Sequence, residues 1–388
     1  MKIDQTQFIM DLGSYKFRFS IINKALSKEV INTEENLFEI DYKGKIFSNN
    51  SNEVFQKIIK NSEKNIGLHI TNLDIIADSK NLVSIDLSVK KNFEGKNISS
   101  IDFEFLETDA KKLIEENYSD YIVIHSIIQK YFINDKEYKN FPSNDLNSNY
   151  LAITIKFLCF PKNTYQNIVS LLNHNHIELK SLRCSSFVKS KSYNSQFPSY
   201  NYKFFLDIGY EKTILNIYEN DLLIKFYIIK IGGINITKDI SKILNLEMTE
   251  AEKLKLNMNE SDITFSDETD LKYSDKQDLL KKVIFARVEE IFNLIFKNIN
   301  FFDDIKNKKS LLVFTGEGSK ILENNSIYLN KLFDSFDDIH YLEETSSKIC
   351  MSLHKFCENE KIKNQKKPIN LEIKTGFFEK MFNLLSKI

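Results

Sequence analysis

The sequence predicts an α/β protein built from two similar lobes that enclose a cleft, and the first observation behind this prediction is an internal repeat. A strand, an Asp-x-Gly turn and a second strand occupy Gln7–Ile21, and the same succession returns at Phe204–Tyr218. The second observation is that strand-like and helix-like apolar patterns alternate along the chain, as in α/β proteins. The third is length, because 388 residues suit two or three packed lobes of ~100–200 residues. Chance similarity of two hairpins is the alternative to a true repeat.

Between the two repeats, a smaller lobe is predicted at Leu82–Phe160, inserted into the first half. Its expected elements are a helix at Glu107–Asn117 with Thr108 as N-cap, strands at Tyr121–Ile128 and Leu151–Phe160, and a polar loop at Asn134–Asn149. Alternation along the last strand predicts one buried face, formed by Leu151, Ile153, Ile155 and Phe157.

Two further segments complete the first half. A helix that begins at Thr164 is expected to bury Ile168, Leu171 and Leu172. The stretch Lys189–Tyr202 is rich in Ser, Asn and Tyr. We interpret it as a linker or surface loop between the halves.

The second half is predicted to contain a helix at Thr237–Leu244 and a polar insertion at Asn257–Lys276. Lys281–Asn300 is the clearest helix, because its apolar residues recur at the spacing of one helical face: Ile284, Val288, Ile291 and Ile295. A strand at Leu311–Phe314 leads into the loop Thr315–Ser319. Cys357–Lys374 is charged and contains Pro368, which predicts a tether before a short amphipathic end.

Composition excludes several classes of protein. A formal charge of −1, from 53 basic and 54 acidic residues, argues against a nucleic-acid-binding protein, which needs a basic face. Four cysteines without a CxxC pair indicate a reducing compartment. The histidines form no metal-binding pattern. Neither a signal peptide nor an apolar run of ~18 residues is present, so a cytoplasmic protein is expected.

The turns of the two hairpins have the chemistry of a nucleotide site. Gly13 lets backbone N–H groups approach a phosphate closely, Ser14 adds a hydroxyl donor, and Lys16 can neutralise phosphate charge. Asp11 and Asp207 are placed to hold a hydrated Mg²⁺, which prefers carboxylates, waters and phosphate oxygens. Each turn taken alone is better explained by a purely structural role, so the argument depends on the order and spacing of the turns.

Six motifs in a fixed order carry a resemblance to a known family. They are a first phosphate motif with Asp11, Gly13, Ser14 and Lys16, a second with Asp207, Gly209 and Thr213, a connecting motif with Gly232 and Gly233, a ribose-contacting helix with Glu252 and Lys255, a following helix at Val283–Phe292, and an adenosine motif with Gly316, Gly318 and Ser319. In these motifs and in the position of the inserted lobe, the chain resembles the FtsA family of bacterial cell-division proteins, within the actin-like ATPase superfamily.

The resemblance implies duplicated actin-like (ribonuclease-H-like) lobes around a nucleotide cleft. The implied boundaries are subdomain 1A at 1–81 and 161–188, an inserted α+β subdomain 1C at 82–160, subdomain 2A at 200–235 and 283–355, subdomain 2B at 236–282, a tether at 356–375 and an amphipathic helix at 376–388. It further implies ATP and Mg²⁺ as ligands, and an actin-like polymer of this chain that anchors the FtsZ ring through the FtsZ C-terminal peptide. Recruitment of later division proteins and a location on the cytoplasmic face of the inner membrane at the septum follow.

Two departures from the family pattern bear on the nucleotide site. The glycine-rich second phosphate loop reads Gly209-Tyr210-Glu211-Lys212-Thr213 here, and Glu317 replaces a glycine of the adenosine motif. Glu211 either repels the phosphates or points outward. No general base is identifiable, so ATP binding with at most weak hydrolysis is expected, and no catalytic residue is named. The alternatives are an actin-like pilus-assembly protein of the PilM type and, with less support, a kinase of the same superfamily.

The last thirteen residues, Gly376–Ile388, predict an amphipathic helix. Its apolar face would consist of Phe377, Phe378, Met381, Phe382, Leu384, Leu385 and Ile388. At ~1.5 Å per residue this helix is too short to cross a ~30 Å bilayer core, so it is expected to lie in the membrane interface. Packing back onto the protein is the alternative.

Overall fold

The computed structural model describes residues 6–24, 28–36, 49–139, 146–258, 273–297, 308–322 and 336–365. Its strands are β1 (Thr6–Leu12), β2 (Lys16–Asn23), β3 (Lys28–Asn36), β4 (Asn72–Ala77), β5 (Val83–Ile98), β6 (Tyr121–Ile133), β7 (Lys136–Tyr138), β8 (Leu146–Pro161), β9 (Glu178–Cys184), β10 (Tyr202–Ile208), β11 (Thr213–Glu219), β12 (Leu222–Ile229), β13 (Ser310–Thr315) and β14 (Asp338–Tyr341). Its α-helices are α1 (Asn49–Ile66), α2 (Ser100–Asn117), α3 (Lys162–His174), α4 (Ser185–Asn194), α5 (Gly233–Leu244), α6 (Met248–Leu256), α7 (Tyr273–Phe296) and α8 (Ser346–Gln365).

Two five-stranded sheets with the same topology confirm the predicted repeat. Their strand orders are β3-β2-β1-β4-β9 and β12-β11-β10-β13-β14. In each sheet the first hairpin is antiparallel, and its leading strand, β1 or β10, also pairs in parallel with a later strand, β4 or β13. The strands that carry the two Asp-x-Gly turns therefore hold equivalent positions in the two lobes.

A third sheet, of order β5-β8-β6-β7, belongs to the inserted segment and is covered by α2. The predicted inward face of β8 is confirmed, because all four of its residues are completely buried: Leu151, Ile153, Ile155 and Phe157. Alternation produces this face because side chains of a strand point to opposite sides of the sheet in turn.

Two boundary predictions for the inserted segment are wrong. Helix α2 begins seven residues before Glu107, at Ser100. Its N-cap is Ser99, whose hydroxyl accepts the Asp102 N–H while the Asp102 carboxylate accepts the Ser99 N–H, a reciprocal pair that satisfies two orphan donors. Thr108 lies inside the helix and donates to the Glu104 carbonyl. The loop expected at Asn134–Asn149 contains β7 and the start of β8.

The stretch from Lys189, interpreted above as a linker or surface loop, begins within a buried helix, α4. The helix has no apolar stripe, because polar side chains occupy most of its buried positions. Its burial therefore cannot be predicted from the spacing of hydrophobic residues. Ser190 pairs with the Tyr218 hydroxyl at 2.9 Å, and the Lys189 side chain is only 9% exposed. The two halves of the chain are thus joined by packed structure.

The remaining expectations differ in outcome. Helix α3 buries Ile168, Leu171 and Leu172 as predicted, and α7 buries its predicted stripe but begins at Tyr273, eight residues before Lys281. Most of the expected insertion at Asn257–Lys276 and all of Gly376–Ile388 lie outside the described residues.

Contacts between Cα atoms divide the chain into two units, residues 1–356 and 357–388. Everything described below belongs to the first unit. In the second unit the described residues, 357–365, are helical, which contradicts a tether over that part of Cys357–Lys374. No helix among the described residues is long and apolar enough to cross a bilayer.

Candidate functional site

A cavity of about 500 Å³ lies between the two hairpins, within the first unit. Eleven of the fourteen predicted nucleotide-site residues line it: Asp11, Gly13, Ser14, Lys16, Asp207, Gly209, Gly233, Glu252, Lys255, Gly316 and Gly318. They converge because β1 and β10 both end at this cavity and because the loop after β13 and the start of α5 pack beside the second hairpin. Ligands of α/β folds commonly bind at such carboxyl ends of strands.

Three predicted residues do not line the cavity. The Thr213 hydroxyl donates to the Ile231 carbonyl at 2.8 Å, and the Ser319 hydroxyl donates to the Gly316 carbonyl at 2.7 Å. Gly232 packs against the second turn, where a Cβ would lie 2.6 Å from the Gly209 carbonyl oxygen. The structure therefore places these residues as supports of the loops that form the cavity.

Gly316 is the point of closest approach between the third loop and the second hairpin. Its φ of +82° belongs to the left-handed region that favours glycine, and a Cβ would lie 2.6 Å from the Ile208 carbonyl oxygen and against an Asp207 carboxylate oxygen. The Gly316 N–H donates to Glu344 Oε2 at 3.0 Å. A glycine is thus required for this loop to reach the cavity.

A first ion-pair cluster spans the cavity from the first hairpin to the third loop. Arg18 Nη1 contacts Asp11 Oδ2 at 2.7 Å, and Arg18 Nη2 contacts Glu317 Oε1 at 3.0 Å. Lys16 Nζ contacts the same Glu317 oxygen at 2.8 Å. Burial tends to raise the pKa of Glu317, but the charges of Arg18 and Lys16 hold it below its usual value. Glu317 is therefore a carboxylate shared by two cations of β2.

A second cluster is centred on the buried Lys189 of α4. Its ammonium contacts Asp207 Oδ2 at 2.6 Å and Glu344 Oε2 at 3.0 Å. Burial alone would lower the pKa of Lys189, but the two carboxylates raise it well above its ordinary value. Burial raises the pKa of Glu344 against the opposing charge of Lys189. Tyr193 completes the cluster by donating to Glu344 Oε1 at 3.1 Å.

Helices α5 and α6 contribute a third pair. Lys255 Nζ contacts Glu252 Oε2 at 2.6 Å and donates to the Gly233 carbonyl at 3.2 Å. Thr237 also donates to Glu252 Oε2. Burial lowers the pKa of Lys255 although Glu252 acts to raise it. The two residues of the predicted ribose-contacting helix therefore line the cavity as an ion pair.

The altered second phosphate loop contributes two of its three new side chains to the cavity. Tyr210 and Lys212 line it, whereas Glu211 does not, and burial raises the pKa of Glu211. Lys212 Nζ donates to the Asp78 carbonyl of the other lobe at 2.9 Å. The rings of Tyr210 and Tyr15 are in contact, with centroids 5.2 Å apart, so the two turns touch through an aromatic pair. Of the two alternatives given for Glu211, the structure therefore favours the one in which its carboxylate does not face the cavity.

The acidic residues do not fit the Mg²⁺ ion predicted from the turns. Asp11 already pairs with Arg18 and accepts from Ser185 Oγ at 3.3 Å, and Asp207 already pairs with Lys189. A divalent cation there would face two buried cations at short range. Among the described residues, no group of three acidic, histidine or cysteine side chains is arranged to hold a metal. The described residues lining the cavity include six acidic and six basic side chains, so its formal charge is zero.

Sequence reasoning missed Arg18, Lys189 and Glu344. A signal for Arg18 existed, because it is the register partner of Asp11 across the first hairpin, and partners of an antiparallel pair lie side by side on one face. In the second hairpin the equivalent partner of Asp207 is Ile214, which is apolar. Lys189 and Glu344 belong to segments that are far apart in sequence, and no local sequence pattern predicts their contact.

Comparisons with known proteins agree with this architecture. The model of the family described as cell division protein FtsA matches residues 204–334. The fold is similar to that of the PilM–PilN type IV pilus biogenesis complex, with a TM-score of 0.61 and 12% identity over 90% of this chain and 96% of the other. It is also similar to MreB5 of Spiroplasma citri bound to AMPPNP, with a TM-score of 0.53 and 11% identity over 94% and 100% of the two chains. No curated protein matches the sequence significantly. The predicted actin-like fold is therefore confirmed.

Proposed function

We propose, from the premise that the chain is a divergent FtsA-like protein with the actin-like ATPase fold, that it binds an adenine nucleotide between its lobes and links a division polymer to the membrane. In this proposal the protein polymerises with itself in an actin-like manner and binds FtsZ at the division septum, on the cytoplasmic face of the inner membrane. Recruitment of later division proteins follows from that position.

The observation that carries the proposal is the cavity between the two hairpins. Its lining includes the Ser14 hydroxyl and several basic side chains, which are groups that bind phosphates. Ile236, Leu256 and Ile321 add apolar surface from the second lobe, which suits a nucleobase. The MreB5 structures, one bound to AMPPNP and one bound to ADP, support the choice of an adenine nucleotide.

We propose that the cavity binds the nucleotide, and we assign no catalytic step to its residues. The predicted site residues other than Thr213, Gly232 and Ser319 are proposed to contact it, and the Mg²⁺ ion expected from Asp11 and Asp207 is not retained. A metabolic kinase has less support, because a kinase needs an aspartate base in its substrate cleft. The aspartates lining this cavity are Asp11, Asp78 and Asp207. Asp11 and Asp207 are ion-paired to Arg18 and Lys189, and Asp78 accepts the Ser186 N–H.

We further propose that the FtsZ C-terminal peptide docks on subdomain 2B, residues 236–282, which lies within the segment matched by the FtsA family model. The remaining predicted subdomain boundaries are retained as part of the same proposal, except for the tether over residues 357–365, which are helical. Ile243 on α5 is 52% exposed in this subdomain, although it is a large apolar residue. An exposed apolar side chain of this kind is a natural anchor for a peptide.

Replacing Ile243 with aspartate is expected to weaken binding of a labelled FtsZ C-terminal peptide by about tenfold or more, because a charge replaces an apolar contact. Fluorescence anisotropy with full-length protein measures the change. Phe105→Asp is the matched control, since Phe105 is 59% exposed on a different lobe. Equal weakening by both substitutions, or absence of binding to the unmodified protein, would contradict the FtsZ assignment.

A pilus-assembly role is the second candidate, and the TM-score of 0.61 with the PilM–PilN complex favours it. The same anisotropy experiment separates the two candidates when a peptide from PilN is titrated beside the FtsZ peptide. Saturable binding of the PilN peptide alone would replace the division role with the pilus role, while leaving the nucleotide proposal unchanged.

Membrane attachment is proposed for the predicted helix Gly376–Ile388. Deleting it, or changing Phe378 and Phe382 to aspartate, is expected to abolish co-sedimentation with anionic liposomes. The deletion removes the whole apolar face, and the two substitutions remove two side chains worth at most ~1.5–3 kcal/mol each and place two negative charges against anionic lipid. Attachment of one copy is weak, and polymerisation strengthens it by multivalency. The melting temperature of the truncated protein serves as a control for folding. Undiminished sedimentation of the truncated protein would identify the helix as a packing element.

A further inference from the structure

The Glu317 carboxylate lies where the two basic side chains of β2 meet the third loop. Its Oε1 atom is 2.8 Å from Lys16 Nζ and 3.0 Å from Arg18 Nη2. Glu317 is 29% exposed, whereas Lys16 and Arg18 are 13% and 10% exposed. The carboxylate thus enters the cavity from the second lobe and contacts cations of the first lobe.

A lysine and an arginine converging on one anionic oxygen is also the arrangement by which proteins bind a phosphate. Lys16 and Arg18 would use the same N–H donors to bind a phosphate as they use to bind the Glu317 carboxylate. Glu317 is attached to the chain, so its local concentration beside these donors is high. A phosphate that needs the same donors must displace it.

Two other cations of the cavity are already held by carboxylates, and Lys320, on the third loop beside Glu317, also lines the cavity. Lys189 is held by Asp207 and Glu344, and Lys255 is held by Glu252. Lys212 differs, because the acceptor of its ammonium is the neutral carbonyl of Asp78. The Glu317 carboxylate therefore competes for the donors of Lys16 and Arg18 in particular, and a ligand with one phosphate fewer avoids that competition.

We infer that Glu317 takes the place of a terminal phosphate, so that the cavity selects a nucleoside diphosphate over the triphosphate. The inference rests on the proposed nucleotide site and specifies which class of nucleotide that site prefers. The built-in counter-charges Arg18 and Lys189 also make this binding independent of a divalent cation, since they already neutralise Asp11 and Asp207.

The test is calorimetric titration of the full-length protein with ADP and with the non-hydrolysable triphosphate AMPPNP, each in EDTA and in excess Mg²⁺. We expect ADP to bind about tenfold more tightly than AMPPNP without metal. In Glu317→Gln, AMPPNP should gain about tenfold in affinity while ADP changes by less than about threefold, because the substitution removes the competing charge. Glu290→Gln is the matched control, since Glu290 also pairs with an arginine, Arg287, outside the cavity.

The outcomes separate the inference from the function on which it rests. Nucleotide binding with an unchanged preference in Glu317→Gln, an equal gain for both nucleotides, or binding that requires Mg²⁺ would overturn the inference alone. Failure of both nucleotides to bind the unmodified protein and the variant would overturn the nucleotide site as well. Glu317→Ala is a second variant that removes the charge, and thermal melts establish that each variant is folded.

Discussion

Replacing Gly316 with alanine is expected to lower the free energy of unfolding by ~3 kcal/mol, from positive-φ strain and overpacking together, and to abolish nucleotide binding. The backbone at Gly316 has φ +82°, and the added Cβ would meet the Ile208 carbonyl oxygen at 2.6 Å. The added Cβ would also meet a carboxylate oxygen of Asp207. Neither neighbour can move easily, because one is backbone and the other belongs to a carboxylate that is ion-paired with Lys189. The third loop must therefore move away from the cavity.

Gly67→Ala is the matched control for this prediction. Gly67 has φ +67°, but no heavy atom lies within 4 Å of the position of its Cβ. It should show the backbone strain alone, about 1 kcal/mol. Denaturant unfolding followed by circular dichroism measures both variants, and this probe is needed because the chain contains no tryptophan. Equal losses in the two variants would show that the contact with Ile208 has no energetic weight.

Local patterns predicted most of the fold. The two Asp-x-Gly hairpins were visible because a strand, a glycine turn and a second strand follow each other without interruption. Their placement at the same cavity followed from the repeat. The start of α2 was missed because Thr108 is also a suitable N-cap residue, whereas the true capping pair, Ser99 and Asp102, lies earlier in the chain.

The charges of the site were much harder to predict than its glycines. A glycine in a turn can be recognised from the residues around it, whereas the contact between Lys189 and Glu344 joins residues that are 155 positions apart in sequence. The part of helix α4 from Lys189 onward was assigned to a linker or surface loop because the buried side chains of the helix are mostly polar. Pairing of this kind depends on tertiary structure and leaves no periodic trace in the sequence. The ion pair of Asp207 with Lys189, which bears on the metal predicted there, was hidden for the same reason.

Replacing Lys189 with methionine is expected to reduce the free energy of unfolding by roughly 3–5 kcal/mol at neutral pH, because it leaves buried carboxylates without their cation. Methionine has a similar length, so little volume is lost. Asp207 and Glu344 are 12% and 4% exposed and would carry their charges in a nearly dry environment. The double variant Lys189→Met, Glu344→Gln should recover part of the loss, since glutamine keeps an acceptor for Tyr193 and removes one charge.

The loss in Lys189→Met should also depend on pH, and its sign follows from Glu344. Burial raises the pKa of Glu344 above the ordinary 4.5 even with Lys189 opposing it, so removing Lys189 raises the pKa further. A carboxyl whose pKa is higher in the folded state binds more protons there, and the free energy of unfolding then falls as the pH rises towards that pKa. The difference between variant and unmodified protein should therefore shrink on acidification from about pH 8 to about pH 5.

Lys156→Met supplies the control for this pH dependence. Lys156 is as deeply buried as Lys189, with its side chain 3% exposed, but its partner Asp86 is 53% exposed and can be solvated when the lysine is gone. The control should lose about 1 kcal/mol or less, with no trend in pH, because an exposed carboxylate tolerates the loss of its partner. Urea unfolding of both variants across the pH range provides the comparison. A pH-independent loss in Lys189→Met would mean that Glu344 is already protonated beside Lys189, and that the cluster around the cavity carries one negative charge fewer than its geometry implies.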